Sequence, residues 1–445
     1  MNRNIVDMFF KTVKKNPMLE IMKVKKDGKW EGITRKRLYN NVKYCEDILL
    51  KRDIIKGDRV AYKGKNSVEW LSWNLACHKV GGIWVPMYEE QNEDQCQYII
   101  NNSDSKILIT DSDDFIKNTV IIRPQINYSY DMDIVREHVN NNRLSTLIYT
   151  SGTTGEPKGV KLSHENILSN IDAIESRFKD NKPGLTSLNI LPWAHIYGMT
   201  CELYYNLLHD NKTVLCSDKK NFISECREIK PEILYVVPKI LEVVKEKTEK
   251  LDKPIIRSII PIVLNRLFGN NLQNIFIGGA KLDESTKKYF HENGIIICEG
   301  YGCTETSPMV SVNHLSNPRN TDSIGKILDN VIVEIINNEI CVSGPSVMEG
   351  YWNDEKKTNE VLIDYNSKTF YRTGDEGEIK DGFLFYKGRI SENYKLSNGK
   401  FVNVNEIESI IKKYIKGNFI VYSEDNKTNT IITDNEINNK ILFII

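Results

Sequence analysis

No run of about 18 apolar residues occurs in this 445-residue chain, so no transmembrane helix is expected. Neither charge is in excess: Lys+Arg and Asp+Glu both number 60, and no global field argues for a nucleic-acid partner. The nine cysteines, at 45, 77, 96, 201, 216, 226, 298, 303 and 341, form no Cys-x-x-Cys pair. Scattered and odd in number, they fit reduced thiols in the cytosol better than a disulfide framework or a zinc site. The N-terminus carries only a short apolar patch before charge resumes at Lys11, so it is not expected to be a signal peptide. No glycine-rich loop closes with Gly-Lys-Ser/Thr, which excludes a Walker A phosphate loop. Internal repeats are absent too. The length leaves room for two or three domains and a large core.

What is present is an alternation of strand and helix patterns. Leu38, Val42, Cys45 and Leu49 recur at helical spacing within 36–50. A Lys-Gly-Asp turn at 56–58 leads to a strand at 59–62. A helix over about 67–79 stops at Gly81-Gly82. A strand at 83–87, a helix near 93–101 and a strand at 106–110 follow. Ser163, with Glu165 two residues on, reads as the N-cap of another helix. Strands are expected at 187–191, 213–216, 232–237, 274–278 and 295–298. This is an α/β pattern with largely parallel sheets flanked by helices. From about 324 short strands with tight turns predict a small β-subdomain reaching 387. Residues 388–445 read as a separate small α+β module. The stretch 424–440 is polar and rich in Asn and Thr.

The chemistry concentrates at residues 150–159, Thr-Ser-Gly-Thr-Thr-Gly-Glu-Pro-Lys-Gly, directly after the apolar run Leu147-Ile148-Tyr149. Gly152, Gly155 and Gly159 let the backbone turn sharply and bring its N–H groups close to a ligand. The hydroxyls of Thr150, Ser151, Thr153 and Thr154 join those N–H groups in a cradle for phosphate oxygens. Lys158 offsets their charge. A loop chosen only for turning rarely carries such a density of one chemistry.

This loop resembles the phosphate-binding signature of the adenylate-forming synthetases, which include acyl-CoA synthetases, luciferases and peptide-synthetase adenylation domains. Further matches follow in the family's order. Leu191-Pro192-Trp193-Ala194-His195-Ile196-Tyr197-Gly198-Met199 is similar to the acyl-CoA synthetase segment beside the carboxylate and acyl pocket. Taken alone, His195 would read as a core histidine. Within the series, the resemblance assigns His195 and Tyr197 to the acyl substrate and disfavours an amino acid. Gly278-Gly279-Ala280 corresponds to the segment bordering the adenine. Glu299-Gly300-Tyr301-Gly302-Cys303-Thr304-Glu305-Thr306 resembles the Gly-Tyr-Gly-x-Thr-Glu core. There Tyr301 offers a face for adenine and Thr304 a hydroxyl for phosphate. Glu305 is a hard oxygen ligand suited to Mg²⁺. Tyr371-Arg372-Thr373-Gly374-Asp375 is similar to the ribose-binding turn, in which Asp375 accepts from both ribose hydroxyls. Gly388-Arg389 and the run through Lys395, Gly399-Lys400 and Glu406-Ile407-Glu408 resemble the long-chain acyl-CoA synthetase linker. Arg389 would contact ribose, and Lys395 would reach the reaction centre in one domain orientation.

The resemblance covers nearly the whole chain and implies a 1–387 AMP-binding domain followed by a mobile 388–445 domain. It implies ATP-dependent activation of a long-chain fatty acid through an acyl-adenylate, with Mg²⁺ as cofactor and ATP and coenzyme A as substrates. Lys158, Thr304, Glu305 and Lys395 would carry catalysis. Catalysis of this kind is positioning and charge stabilisation, and no Ser-His-Asp or Cys-His set is needed. The hinge position, usually Lys or Asp in the family, is Ser391 here. The C-terminal region is shorter than the family's, and no Gly-Lys follows Lys400; Lys440 is the nearest substitute for the family's late lysine. Two alternatives therefore stay open: an impaired homologue that binds ATP or acyl-adenylate as a lipid-binding or regulatory protein, and a ligase for another carboxylic acid. A cytoplasmic location is expected, with peripheral membrane contact because the presumed substrate lives in membranes.

Overall fold

The computed structural model describes residues 3–112, 119–126, 139, 142–150, 156–180, 182–249, 258–316, 318–392, 394–395, 401–402, 407, 411, 419–422 and 430–433. Two sheets with helices packed on them form an α/β fold. The smaller sheet orders its strands 120–122, 105–110, 59–63, 83–87, 144–150 and 158–163. Its first five strands are parallel. Helical crossovers make this arrangement natural: Val68–Lys79 joins Arg59–Lys63 to Ile83–Met87, and Glu93–Ser103 leads on to Ser105–Thr110. Ile83–Met87 is buried along its whole length, as a parallel strand covered on both faces must be.

The larger sheet has a parallel centre made of strands 297–302, 274–277, 233–236, 186–189, 212–215 and 20–26. Beyond 297–302 every pairing is antiparallel. The strands expected as a small β-subdomain are hydrogen-bonded onto this sheet: Lys326–Ile327 pairs with Met309–Val312 on one side and with Phe383–Arg389 on the other. Strand Met309–Val312 would otherwise leave an open edge, and the 326–389 meander covers it. The parallel-rich strands match the alternation, and the antiparallel ones fall mostly in the expected β-subdomain. Short turns return the chain antiparallel where no crossover helix intervenes.

Local signals hold the helices where the pattern puts them. Ser163 accepts from the Asn166 N–H at 3.0 Å while Asn166 accepts from the Ser163 N–H at 2.8 Å, a reciprocal cap. Ser67 caps Val68–Lys79, accepting from the Trp70 N–H at 3.0 Å. That helix ends where Gly81 takes φ +79°, a left-handed conformation that glycine adopts without strain. Behind the smaller sheet, Trp70 packs edge-on against Trp84 and Trp193, with ring centroids 5.2 and 5.6 Å away. All three indoles are fully buried. Truncating such a ring to Ala costs about 3–5 kcal/mol. Trp193 belongs to the His195 segment, so the core anchors a loop of the site.

Candidate active site

The strands Leu144–Thr150 and Lys158–Ser163 form an antiparallel hairpin whose register sets Thr150 opposite Lys158. The glycine- and hydroxyl-rich tip between them, Ser151, Gly152, Thr153, Thr154 and Gly155, lies outside the described residues. The structure therefore brings Thr150 and Lys158 to the site but leaves the phosphate-cradle roles of Ser151, Gly152, Thr153, Thr154 and Gly155 as expectations from the sequence.

The returning strand is braced from its other side. The Lys161 N–H donates to the Gly350 carbonyl at 3.0 Å, the Glu349 N–H to Lys161 at 3.0 Å, and the Trp352 N–H to Gly159 at 2.7 Å. A Cβ at Gly159 would lie 3.0 Å from the Tyr149 ring and 3.2 Å from Trp352, which explains the glycine. This brace sets the Lys158 ammonium 5.8 Å from the centre of the Tyr351 ring. The Tyr351 hydroxyl donates to Glu305 Oε1 at 2.8 Å. Burial raises the Tyr351 pKa, so the phenol stays a donor. Lys158 and Glu305, far apart in sequence, are thus brought together through one tyrosine.

Glu305 sits in the short turn Thr304–Thr306 just beyond the strand Ile297–Gly302. Gly302 is required there, because a Cβ would come within 1.7 Å of the Pro308 carbonyl oxygen. Thr150, Lys158, Gly279, Gly300, Tyr301, Gly302, Thr304, Glu305, Arg389 and Ser391 all line one cleft of about 1010 Å³. Asp375 lies just under its wall, 5 % exposed. It accepts from the Tyr301 hydroxyl at 2.5 Å, and its other oxygen is 3.1 Å from Arg389 Nε. The strand register places Arg389 opposite Asp375, so the pair is imposed by the sheet. Gly374, at φ +74°, makes the turn possible.

Glu339 is a residue that the sequence pattern places only in a strand. Its carboxylate accepts from the Gly374 N–H at 2.8 Å and from Arg372 Nε at 2.8 Å, so it holds the turn before Asp375 from beneath. Tyr351 is the other residue that the motifs leave without a role. Both act through tertiary pairing, and no local spacing announces either.

Not every expected residue reaches the cleft. Glu299 is buried against Lys287, 2.9 Å away, and accepts from the Leu282 N–H at 3.3 Å. That makes it a support for the turn after Gly279, and it does not line the cleft. Ala280 is exposed and does not line it either. Lys395 falls in a short strand, Tyr394–Lys395, paired with Phe401–Val402; the position of its side chain is not among the described features. Lys440 lies outside the described residues.

The opposite wall comes from His195 and Tyr197. The Tyr197 N–H donates to His195 Nδ1 at 3.2 Å, so the neutral ring carries its proton on Nε2. Burial lowers the His195 pKa and favours that neutral form. Tyr197 opens a π-helical stretch, Tyr197–Tyr204. Such wide turns recur at functional sites. Its hydroxyl is buried and has no hydrogen-bond partner among the described residues. Tyr197 and Met309 line both the cleft and a second cavity of about 440 Å³. Cys201 and Tyr205, four and eight residues beyond Tyr197, line that cavity as well, so one helical face forms its wall. Phe178, Leu185, Ile233 and Phe276 complete an apolar interior.

The cleft thus gathers Thr150 beside Lys158, the Glu305 carboxylate and the Asp375–Arg389 pair. The chain belongs to the AMP-binding enzyme family, whose model matches residues 9–352. It is 26% identical over 490 residues to the human long-chain-fatty-acid–CoA ligase ACSBG2, covering 92% of this chain and 73% of that protein. It is 24% identical over 476 residues to the long-chain-fatty-acid–CoA ligase FadD15 of Mycobacterium bovis, covering 92% and 78%. In fold it is similar to ATP-bound MatB from Rhodopseudomonas palustris, with a TM-score of 0.83 at 22% identity over 100% of this chain and 92% of that one.

Proposed function

We propose that this protein is an AMP-forming acid–CoA ligase whose acid is a long-chain fatty acid. The carboxylate oxygen attacks the α-phosphorus of ATP, the bond to pyrophosphate breaks, and an acyl-adenylate results. The thiolate of coenzyme A then attacks the acyl carbon and AMP leaves. In this reading Thr150, Lys158 and Thr304, with the tip from Ser151 through Gly152 to Gly155, hold phosphate oxygens. Asp375 and Arg389 hold the ribose. Tyr301, Gly279, Gly300 and Gly302 border the base. His195 Nε2–H and the Tyr197 hydroxyl are donors for the substrate carboxylate and the developing charge. Lys395 acts after the 388–445 domain, pivoting near Ser391, changes its orientation.

Glu305 would hold a Mg²⁺ ion. No group of three or more acidic, histidine or cysteine side chains able to cage a metal exists among the described residues. Of the glutamates lining the cleft, Glu339 is held by Arg372 and the Gly374 N–H and Glu360 pairs with Lys357, so half-buried Glu305 suits an ion that keeps its waters and is bound mainly through phosphates. Such an ion would neutralise phosphate charge.

The observation that carries the reading is the shared wall. The apolar cavity begins at Tyr197 and Met309, which also face the nucleotide cleft. An acid whose carboxylate lies at the phosphate therefore has an apolar space for its tail. The test is pyrophosphate release from Mg·ATP with palmitate, with and without coenzyme A. Release that needs palmitate, followed by acyl-CoA, is expected. Release with a different acid alone would change the substrate class. ATP binding without release would favour a binding protein.

A further inference from the structure

The cleft carries a second lysine that no motif marks. Lys357, Glu360 and Val361 line it, three and four residues apart on one face of the short helix Glu355–Val361. That helix is tied to the Lys158 brace. The Tyr351 N–H donates to Thr358 Oγ1 at 2.9 Å, and the Thr358 hydroxyl donates to the Asp354 carbonyl at 2.7 Å. Asp354 caps the helix by accepting from the Lys357 N–H at 2.9 Å. A Cβ at Gly350 would lie 2.6 Å from Thr358, so the glycine lets the helix pack this closely. Tyr351 thus joins three charged groups of the cleft: Lys158 over its ring, Glu305 on its hydroxyl, and Lys357 through its N–H and Thr358.

The Lys357 ammonium, 34% exposed, donates to Glu360 at 2.7 Å. Glu360 is its partner among the described residues, and an ammonium has further N–H groups to give. The hydrogen bond from Lys357 holds the Glu360 carboxyl below its usual range, with weaker pulls from Lys356 and Lys158, so the pair lies within electrostatic reach of Lys158. Glu355 and Lys356 are exposed and do not line the cleft. Arg372 is tied to Glu339 and Arg389 to Asp375, both at the turn assigned to the ribose. Lys158 and Lys357 are then the cleft-lining cations outside that turn among the described residues.

Resting on the ligase reading of the cleft, we propose that Lys357 is a second phosphate-binding residue, which engages the β- and γ-phosphates of ATP and then the departing pyrophosphate, with Glu360 as its counterion while no phosphate is bound. One ammonium serves one end of a triphosphate, and charge at the other end needs a partner of its own. The leaving pyrophosphate gains negative charge as its bond to the α-phosphorus breaks, so an ammonium already positioned there stabilises the transition state. Glu360 repels the same anion and competes for the same ammonium, which favours release of pyrophosphate once the bond is broken.

The test is calorimetric binding of pyrophosphate and of AMP, each with Mg²⁺, to the full chain and three variants. Lys357→Ala should weaken pyrophosphate about tenfold, the loss of one charge-assisted contact, and leave AMP, which has no β-phosphate, unchanged. Lys356→Ala, one residue away and outside the cleft, should change neither. Glu360→Gln should tighten pyrophosphate. Thermal midpoints show that each variant folds. No pyrophosphate binding by the parent, or parental binding by a folded Lys357→Ala, would overturn the proposal. So would equal weakening of AMP and pyrophosphate, or a Lys356→Ala variant as impaired as Lys357→Ala, which would reduce the effect to the general field. Weaker pyrophosphate binding by Glu360→Gln would remove the counterion role. Pyrophosphate binding that depends on Lys357, in a protein that forms no acyl-adenylate, would leave the subsite standing and remove the ligase reading instead.

Discussion

The cleft around Lys158 and Glu305 and the apolar cavity share Tyr197 and Met309 but are built in opposite ways. The cleft is made of turns in which backbone geometry dictates the residue: Gly302 against the Pro308 carbonyl, Gly374 at positive φ, Thr150 in register with Lys158. The cavity is made of side chains from distant elements, Phe178, Ile233, Phe276 and one face of the 197–205 helix, and apart from the π turn at Tyr197–Tyr204 none depends on a special local conformation. The backbone of the cleft therefore tolerates little change, whereas an apolar cavity can be reshaped by any residue of suitable volume. Specificity can drift while the nucleotide chemistry stays.

Substitutions should separate the two regions. The largest effect is expected in the cleft: Lys158→Ala or Glu305→Ala should each slow pyrophosphate release by roughly 10²–10³-fold, the loss typical of one preorganised charge-stabilising group. Near-parental rates in either variant would break the assignment. In the cavity, Ile233→Trp should shorten the space without touching the cleft. Displacing about three methylenes, at ~0.8 kcal/mol each, should cut kcat/KM for palmitate on the order of 50-fold and leave octanoate near the parental value. Equal losses for both acids would dissolve the distinction between the regions. Tyr351→Phe keeps the ring under Lys158 and removes only the hydrogen bond to Glu305; a loss of about tenfold is expected in pyrophosphate release.

A last effect, read in stability and not in rate, concerns the scaffold under both regions. His78 and His164 are buried with ring centroids 4.8 Å apart. Burial pushes the His164 pKa down to about 3, and burial, with His164 beside it, lowers that of His78. The unfolded chain binds protons near pH 6.5 that the folded chain refuses, so stability should fall as pH drops below about 6.5. The slope is up to ~1.4 kcal/mol per pH unit for each histidine until the folded pKa is reached. Urea unfolding at pH 7.5 and 5.0 checks this; His164→Asn should flatten the difference.

The same contrast explains what was legible in the sequence. The Ser163 cap, the Gly81 stop and the glycine-rich turns at 302 and 374 are local, and the structure follows them to within a residue or two. Lys158, Thr304 and Glu305 could be named because each sits in a contiguous motif. Glu339 and Tyr351 could not, since their roles exist only once strands 339–343 and 368–380 pair and segment 349–352 docks on the hairpin. Glu299 stands inside the same motif as Tyr301 and yet is taken up by Lys287, a contact across the chain that the motif does not announce. The cavity was not legible: only His195 and Tyr197 hinted at it, and the π turn that aligns Tyr197, Cys201 and Tyr205 leaves no mark in the spacing of apolar residues.

The most direct measurement is a crystal structure with a non-hydrolysable palmitoyl-adenylate analogue. The phosphate-mimicking group should lie between Lys158 and Thr304, with the ribose hydroxyls on Asp375 and the alkyl chain running past Tyr197 into the cavity beside Cys201 and Tyr205. An alkyl chain lying outside that cavity, with the nucleotide in the cleft, would contradict the shared-wall account.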